Sequence, residues 1–373
     1  MTIAPTFRFG IEEELFLADA RTRKTPRRVE PFHDAVHKRL PEVERELLVS
    51  QVEIMTPPCT GFEDARACLS GLRTALADIG REHGLLVLGG GSHPTARWQR
   101  QKRTKKERYD AIAEDMQMLA RRDVVSGMHV HVEVPDPGRR VELMNRLLSY
   151  IPTFLALSAS SPFWEGRNTG LNAYRLSVWG EMPRTGLPDL FTDPEDYDRL
   201  VAAMVRSGAI ADASFLWWML RPSTRFPTLE LRVADSCTRL DDTIAIAALY
   251  RCLVRRLHRD ADAGPKPTAV VRAIASENIW RAQRRGVNAS FLDDKGEVAS
   301  FADHLDVLLA MIEEDAEALG CAAEVARTRE IVMEGTSADR QLATYAEARD
   351  GGATDAAALA AVVDWMATTT ASP

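Results

Sequence analysis

The segment FGIEEELFL, residues 9–17, places three consecutive glutamates inside an apolar run. Few folds can accommodate that. Read as a strand, its side chains alternate between two faces. Gly10, Glu12, Glu14 and Phe16 then share one face, and Ile11, Glu13, Leu15 and Leu17 share the other. A buried unpaired carboxylate is very costly, so a cation or a proton must accompany it. Two on one face repel each other unless a metal or an arginine lies between them. The pattern recurs: SQVEIMTP carries Glu53 between Val52 and Ile54, GMHVHVEV aligns His129, His131 and Glu133, and LELRVAD aligns Glu230 and Arg232. One solvated edge explains one such strand. Four strands call for a shared polar site.

Carboxylates with an occasional imidazole suit magnesium or manganese better than zinc. Magnesium held by a few carboxylates completes its shell with water and phosphate oxygens, so the pattern reads as a nucleotide site. His129 and His131 could instead form the zinc pair of a metal-dependent hydrolase. Such an enzyme is expected to add further His or Cys ligands downstream. The only later histidines, His258 and His304, fall in helical patterns.

The order of elements limits the architecture. Strand patterns cover 7–17, 47–55, 85–94, 123–134 and 227–235. Amphipathic helix patterns cover 62–84, 139–159 (with Pro152 as a break) and 194–212, and from 240 onward the chain reads as almost all helix. These do not alternate as β-α-β units with dinucleotide glycines, which points to α+β with a largely antiparallel sheet. The alanine-rich end, ATDAAALAAVVDWMA, is expected to be a surface helix.

Weaker features lie between these segments. GGGSHPTARW has glycines that could let backbone approach phosphate, but it lacks the G-K-[ST] of a phosphate loop. The long irregular stretch 160–189 offers Arg175 and Arg184 as clamps for a carboxylate or phosphate. The basic run RQKRTKKER, 100–108, reads as a solvated face or mobile loop, with a phosphate-covering lid as the alternative.

The 47 basic and 54 acidic residues give a formal net charge of −7, so electrostatics supplies no reason to bind nucleic acid or an anionic membrane. Five scattered cysteines without a C-x-x-C pair argue against a disulfide framework. The start MTIAPTFRFG lacks a secretory pattern, and no apolar run approaches the roughly 18 residues needed to span a bilayer. The expected setting is cytoplasmic. A homo-oligomer, a dimer for instance, stays open.

Taken in order, FGIEEELFL, ELLVSQVEIMTPP, GGGSHP, SGMHVHVEV, AYRLSVWGEMPRTGLP and LELRVAD resemble the type 2 glutamate–cysteine ligase family, in its bacterial carboxylate–amine ligase branch. The resemblance covers most of residues 7–237. It implies one catalytic domain over 1–373, strand-rich to 237 and helical from 238, with a glutamine-synthetase-like fold. In such a fold a curved antiparallel sheet forms a funnel and helices pack outside it.

The resemblance also implies an activity. ATP phosphorylates a substrate carboxylate, for glutamate its γ-carboxylate, and an amine such as cysteine attacks the acyl phosphate. The partners implied are a small-molecule acid and amine, ATP, and Mg2+ or Mn2+. Glu12, Glu14, Glu46, Glu53, His129 and Glu230 would be metal ligands. Arg232 and Arg175 would be catalytic, and Arg232, His131 and Arg184 would face the nucleotide. A metal-dependent hydrolase and a non-catalytic relative that binds a nucleotide or carboxylate remain the alternatives.

Overall fold

The computed structural model describes residues 6–372; Met1–Pro5, part of the stretch read as lacking a leader, and Pro373 lie outside the described residues. The elements that build the site, in chain order, are β1 (Phe9–Asp19), β2 (Glu44–Arg45), β3 (Gln51–Met55), α1 (Phe62–Glu82), β4 (Leu85–Leu88), α2 (Glu107–Met116), β5 (Met128–Glu133), α3 (Arg175–Trp179), β6 (Leu220–Pro222) and β7 (Thr228–Leu231). The helical remainder comprises α4 (Leu240–Arg259), α5 (Ala269–Arg285), α6 (Phe301–Ala318), α7 (Ala322–Glu334), α8 (Ser337–Asp350) and α9 (Asp355–Ala371).

The strands form one sheet in the order β6-β7-β5-β1-β3-β2, with β4 also paired to β1. Every pair in it is antiparallel. β1 is long enough to take β5 along Phe9–Glu13 and β4 along Phe16–Asp19 of one edge, while β3 occupies the other edge. The α+β class with an antiparallel sheet is therefore as expected.

Alternation decides what each face does. Ile11, Leu15, Leu17, Val52, Ile54, Val130, Val132, Leu229 and Leu231 point to one face and are fully buried. α1 and α4 lie against that side of the sheet. α1 buries a stripe through Ala65, Leu69, Leu72, Leu76 and Ile79, the spacing of one helix face. Glu63 and Asp64 suit its N-terminal dipole, and Gly84, at φ +67°, lets the chain turn away after it. α4 is buried along most of its length, Asp242, Thr243 and Arg251 included, because it runs between the sheet and the outer helices α6 and α7.

Three readings need correction. α9 is not a surface helix. Leu359, Val362, Val363 and Met366 are buried where it packs on β4 and α1, as their i, i+3, i+4 and i+7 spacing permits. A β-hairpin, Ser290–Leu292 with Val298–Ser300, interrupts the helical third. The strand expected over 47–55 begins only at Gln51. Among the described residues no helix is long and apolar enough to cross a membrane.

Candidate active site

The opposite face of the sheet carries the polar residues. In the register Glu14 faces Glu53, Glu12 faces His129, and Gly10, His131, Glu230 and Arg221 form one row across four strands. Directly opposed residues of antiparallel strands are close neighbours, so a fixed register is enough to gather them.

Three overlapping groups result: Glu12, Glu53 and His129; Glu12, His131 and Glu230; Glu14, Glu46 and Glu53. Within each, the potential ligand atoms lie within 4.8 Å of one another. Glu46 joins from the turn between β2 and β3. All six residues expected as metal ligands fall in these groups, and His131, expected to face the nucleotide, joins them. Glu133 does not. It lies at the rim, where Arg8 donates to it at 3.0 and 3.1 Å.

The electrostatics are those of a site short of cations. Burial, and then the charge of Glu46, pushes the Glu14 carboxyl up to about 8. Burial and the charges of Glu46, Glu12 and Glu14 hold Glu53 well above its usual range. Glu12 runs the other way. Burial opposes its ionisation, yet hydrogen bonds from His129 and His131 keep its carboxyl low. His129 Nδ1 lies 3.3 Å from Glu12 Oε2, and its Nε2 is buried without a hydrogen-bond partner, 3.9 Å from Glu14 Oε1. Burial, and then the charge of Arg232, pushes this imidazole down to about 4. A neutral ring with an unpartnered nitrogen among carboxylates has the chemistry of a metal ligand. The oxygen-rich set fits magnesium or manganese.

A pH dependence follows. The Glu14 carboxyl titrates near 4.5 outside the fold and at about 8 within it. Between those values the folded protein holds the extra proton, so this group's contribution to stability is lost as pH rises through that window. In EDTA the wild type should therefore lose thermal stability relative to Glu14→Gln on going from pH 5 to pH 8, and Mg2+ should offset the loss. Parallel melting curves for the two proteins in EDTA would contradict the assignment.

Arginines surround the acids. Arg232 and Arg221 both grip Glu230: Arg232 Nη1 meets Oε1, and Arg221 places Nε 2.8 Å from Oε2 and Nη2 3.1 Å from Oε1. Burial alone would raise the Glu230 carboxyl, but these two cations hold it well below the usual range. Arg175, on α3, is buried behind them. It donates to the carbonyls of Val233 at 3.2 Å and Arg232 at 3.3 Å. Gly127 makes room for it, since a Cβ there would sit 2.3 Å from Arg175 Nη2. Arg184 makes no such contact. It donates to the Ala209 carbonyl, stacks over Trp217 and lies 3.9 Å from Asp115 on α2.

The glycine turn is built for packing. A Cβ on Gly91 would fall 2.5 Å from the Asp235 carboxylate. The N–H groups of Gly89 and Gly91 already donate to Thr370 and Ser160, so these two amides are committed within the fold. The basic run reaches the site's border, where Lys106 donates to Glu44 at 2.9 Å.

Sequence reasoning missed Arg221 and Asp123. Asp123 keeps one buried oxygen unpartnered. Burial pushes its carboxyl up to about 6, against the pull of Arg175. Arg221 sits in no strand pattern that announces it, and Asp123, although it opens the 123–134 pattern, lies ahead of β5, which starts at Met128.

Comparison with known proteins is consistent along the whole chain. The family model described as Glutamate-cysteine ligase family 2 matches residues 8–359. A protein of Rhodospirillum rubrum named "Putative glutamate--cysteine ligase 2" is 44% identical over 379 residues, covering 99% of this chain and 97% of its own. One of the same name from Bradyrhizobium sp. strain ORS 278 is 46% identical over 368 residues, covering 98% and 88%. Among solved structures, a glutamate–cysteine ligase from Francisella tularensis in complex with AMP superposes with a TM-score of 0.70 at 12% identity, covering 98% of this chain and 89% of that one. That likeness is one of fold.

Proposed function

Because the chain belongs to glutamate-cysteine ligase family 2, we propose that it is an ATP-dependent ligase that activates a small carboxylic acid as an acyl phosphate and joins it to an amine. Glutamate, through its γ-carboxylate, and cysteine are the substrates the family suggests. The observation that carries the reading is the convergence of five carboxylates and two imidazoles on one sheet face. The Francisella tularensis ligase of similar fold is in complex with AMP, which is in keeping with the use of a nucleotide. Among the described residues both imidazoles group with glutamates and with no further His or Cys, which disfavours the zinc-hydrolase alternative.

Glu12, Glu14, Glu46, Glu53, His129, His131 and Glu230 would hold magnesium. Bound magnesium neutralises charge on the phosphate oxygens. The chain's own groups orient the reactants. The acid's carboxylate oxygen attacks the γ-phosphorus of ATP and the bond to ADP breaks. The amine nitrogen then attacks the acyl carbon, phosphate leaves, and the amine gives up a proton. Much of the catalysis is positioning and charge stabilisation. The sheet and the helices behind it act as one catalytic domain. Free thiols at all five cysteines and the use of ATP suit the cytoplasm.

In this reading Arg232 stabilises the phosphoryl group in transfer. Arg232→Lys keeps the charge but loses the planar fork. Turnover should fall on the order of a hundredfold, while affinity for a non-hydrolysable ATP analogue changes far less. ADP release beside calorimetry reads both, and near-normal turnover would reduce Arg232 to a partner of Glu230.

The function itself is tested by measuring Mg2+-dependent ADP release over a panel of acids and amines with glutamate and cysteine included. ADP that appears only when acid and amine are both present supports the ligase. ADP release indifferent to either would sink it.

A further inference from the structure

Two arginines on one carboxylate are more than charge balance requires, and their surroundings differ. Arg221 lies directly opposite Glu230 in the β6–β7 register. It engages both oxygens of Glu230, and its Nη1 donates to the carbonyls of Ser214 at 2.8 Å and Leu216 at 3.0 Å. Its fork is thus fixed at both ends. Arg232 meets Glu230 through Nη1 alone, and its Nε is buried with no partner. One guanidinium is saturated and the other is under-used.

We propose that Arg221 is a positioning residue that holds Glu230 toward the metal, so that Arg232 can leave Glu230 for the phosphoryl group without stranding a buried charge. The proposal rests on the reading of this face as a metal–nucleotide site. A carboxylate stripped of its sole cation in a buried setting would be costly. With Arg221 tied to Ser214 and Leu216, Glu230 retains a bidentate partner whatever Arg232 does. Ligating carboxylates are commonly oriented by such outer contacts, and their loss typically weakens metal binding about 10–100-fold. Lysine, with a single ammonium, cannot reproduce a fork that holds two carboxylate oxygens and two carbonyls at once.

The test is Mn2+ binding to the full chain, followed by electron paramagnetic resonance, without any substrate. Arg221→Lys should weaken Mn2+ at least about tenfold while the melting temperature in EDTA stays near that of the wild type. Arg221→Gln is read the same way should the lysine variant fold poorly. In a Glu230→Gln background, Arg221→Lys should weaken Mn2+ no further, because its effect runs through that carboxylate. Arg232→Lys should leave Mn2+ affinity near the wild-type value. Unchanged Mn2+ affinity in both Arg221 variants would overturn the proposal. So would an equal loss with and without Glu230, which would give Arg221 a role independent of that residue. A wild type that binds no Mn2+ would instead overturn the metal-site reading beneath it.

Discussion

Glu12→Gln should abolish Mg2+-dependent turnover, with a loss on the order of a thousandfold, while leaving the fold intact. Glu12 is common to two of the three ligand groups and is the residue both imidazoles face. The amide keeps its shape and loses its charge. Removing one preorganised electrostatic contact to a transferring group costs about 10²–10³, and Glu12 serves two groups. The charge of Glu12 also helps to hold the Glu53 carboxyl well above its usual range, so its removal relieves repulsion. The melting temperature in EDTA should hold or rise, and the stabilisation by Mg2+ seen in the wild type should disappear. Turnover beside melting curves with and without Mg2+ checks both halves. A Glu12→Gln protein with wild-type turnover would remove Glu12 from the site.

Its neighbour should behave in the opposite way. Glu13 points to the other face of β1 and is fully buried, as is Arg73 on α1. Arg73 Nε lies 2.9 Å from Glu13 Oε2 and Nη2 lies 2.6 Å from Oε1. The same guanidinium donates to the carbonyls of Cys237 and Thr238, and Thr243 Oγ1 donates to Glu13 at 2.7 Å. One buried pair thus ties β1, α1, the turn after β7 and α4 together. Removing one partner leaves the other charge buried, at a cost of about 3–5 kcal/mol. Arg73→Met should destabilise by that amount in urea denaturation. The double variant Glu13→Leu, Arg73→Met should recover much of the loss, because no charge is then stranded. If Arg73→Met were as stable as the wild type, the pair would not anchor the fold.

Three glutamates in a row are therefore one structural residue between two that face the site. That much was legible in the sequence, because strand alternation acts locally. The same rule sorted His129 from Val130, Glu53 from Ile54 and Glu230 from Leu231. Which strands would be neighbours was not legible from alternation. The grouping of Glu12 with both His131 and Glu230 depends on β5 lying between β1 and β7, a long-range choice. Arg221 was missed because β6 is three residues long and contains Pro222. A segment that short has no period to read, and its role comes only from its register against β7. The Arg73 partnership escaped for a related reason. Arginine within an amphipathic helix ordinarily reads as exposed, and only the approach of α1 to β1 buries it. The glycine turn misled in the other direction. Its sequence permits a close approach of backbone to phosphate, but the close approaches it makes are to Asp235, Cys237 and Met366.

The acyl phosphate proposed to form at this sheet face can be traced with L-glutamate carrying ¹⁸O in its γ-carboxylate, incubated with the enzyme, ATP, Mg2+ and cysteine, with the released phosphate read by mass spectrometry. The acid's oxygen attacks phosphorus and stays with the phosphate when the amine displaces it. One labelled oxygen should appear in each phosphate released. Turnover that yields ADP and unlabelled phosphate would mean that the acid is never phosphorylated, and would contradict the proposal.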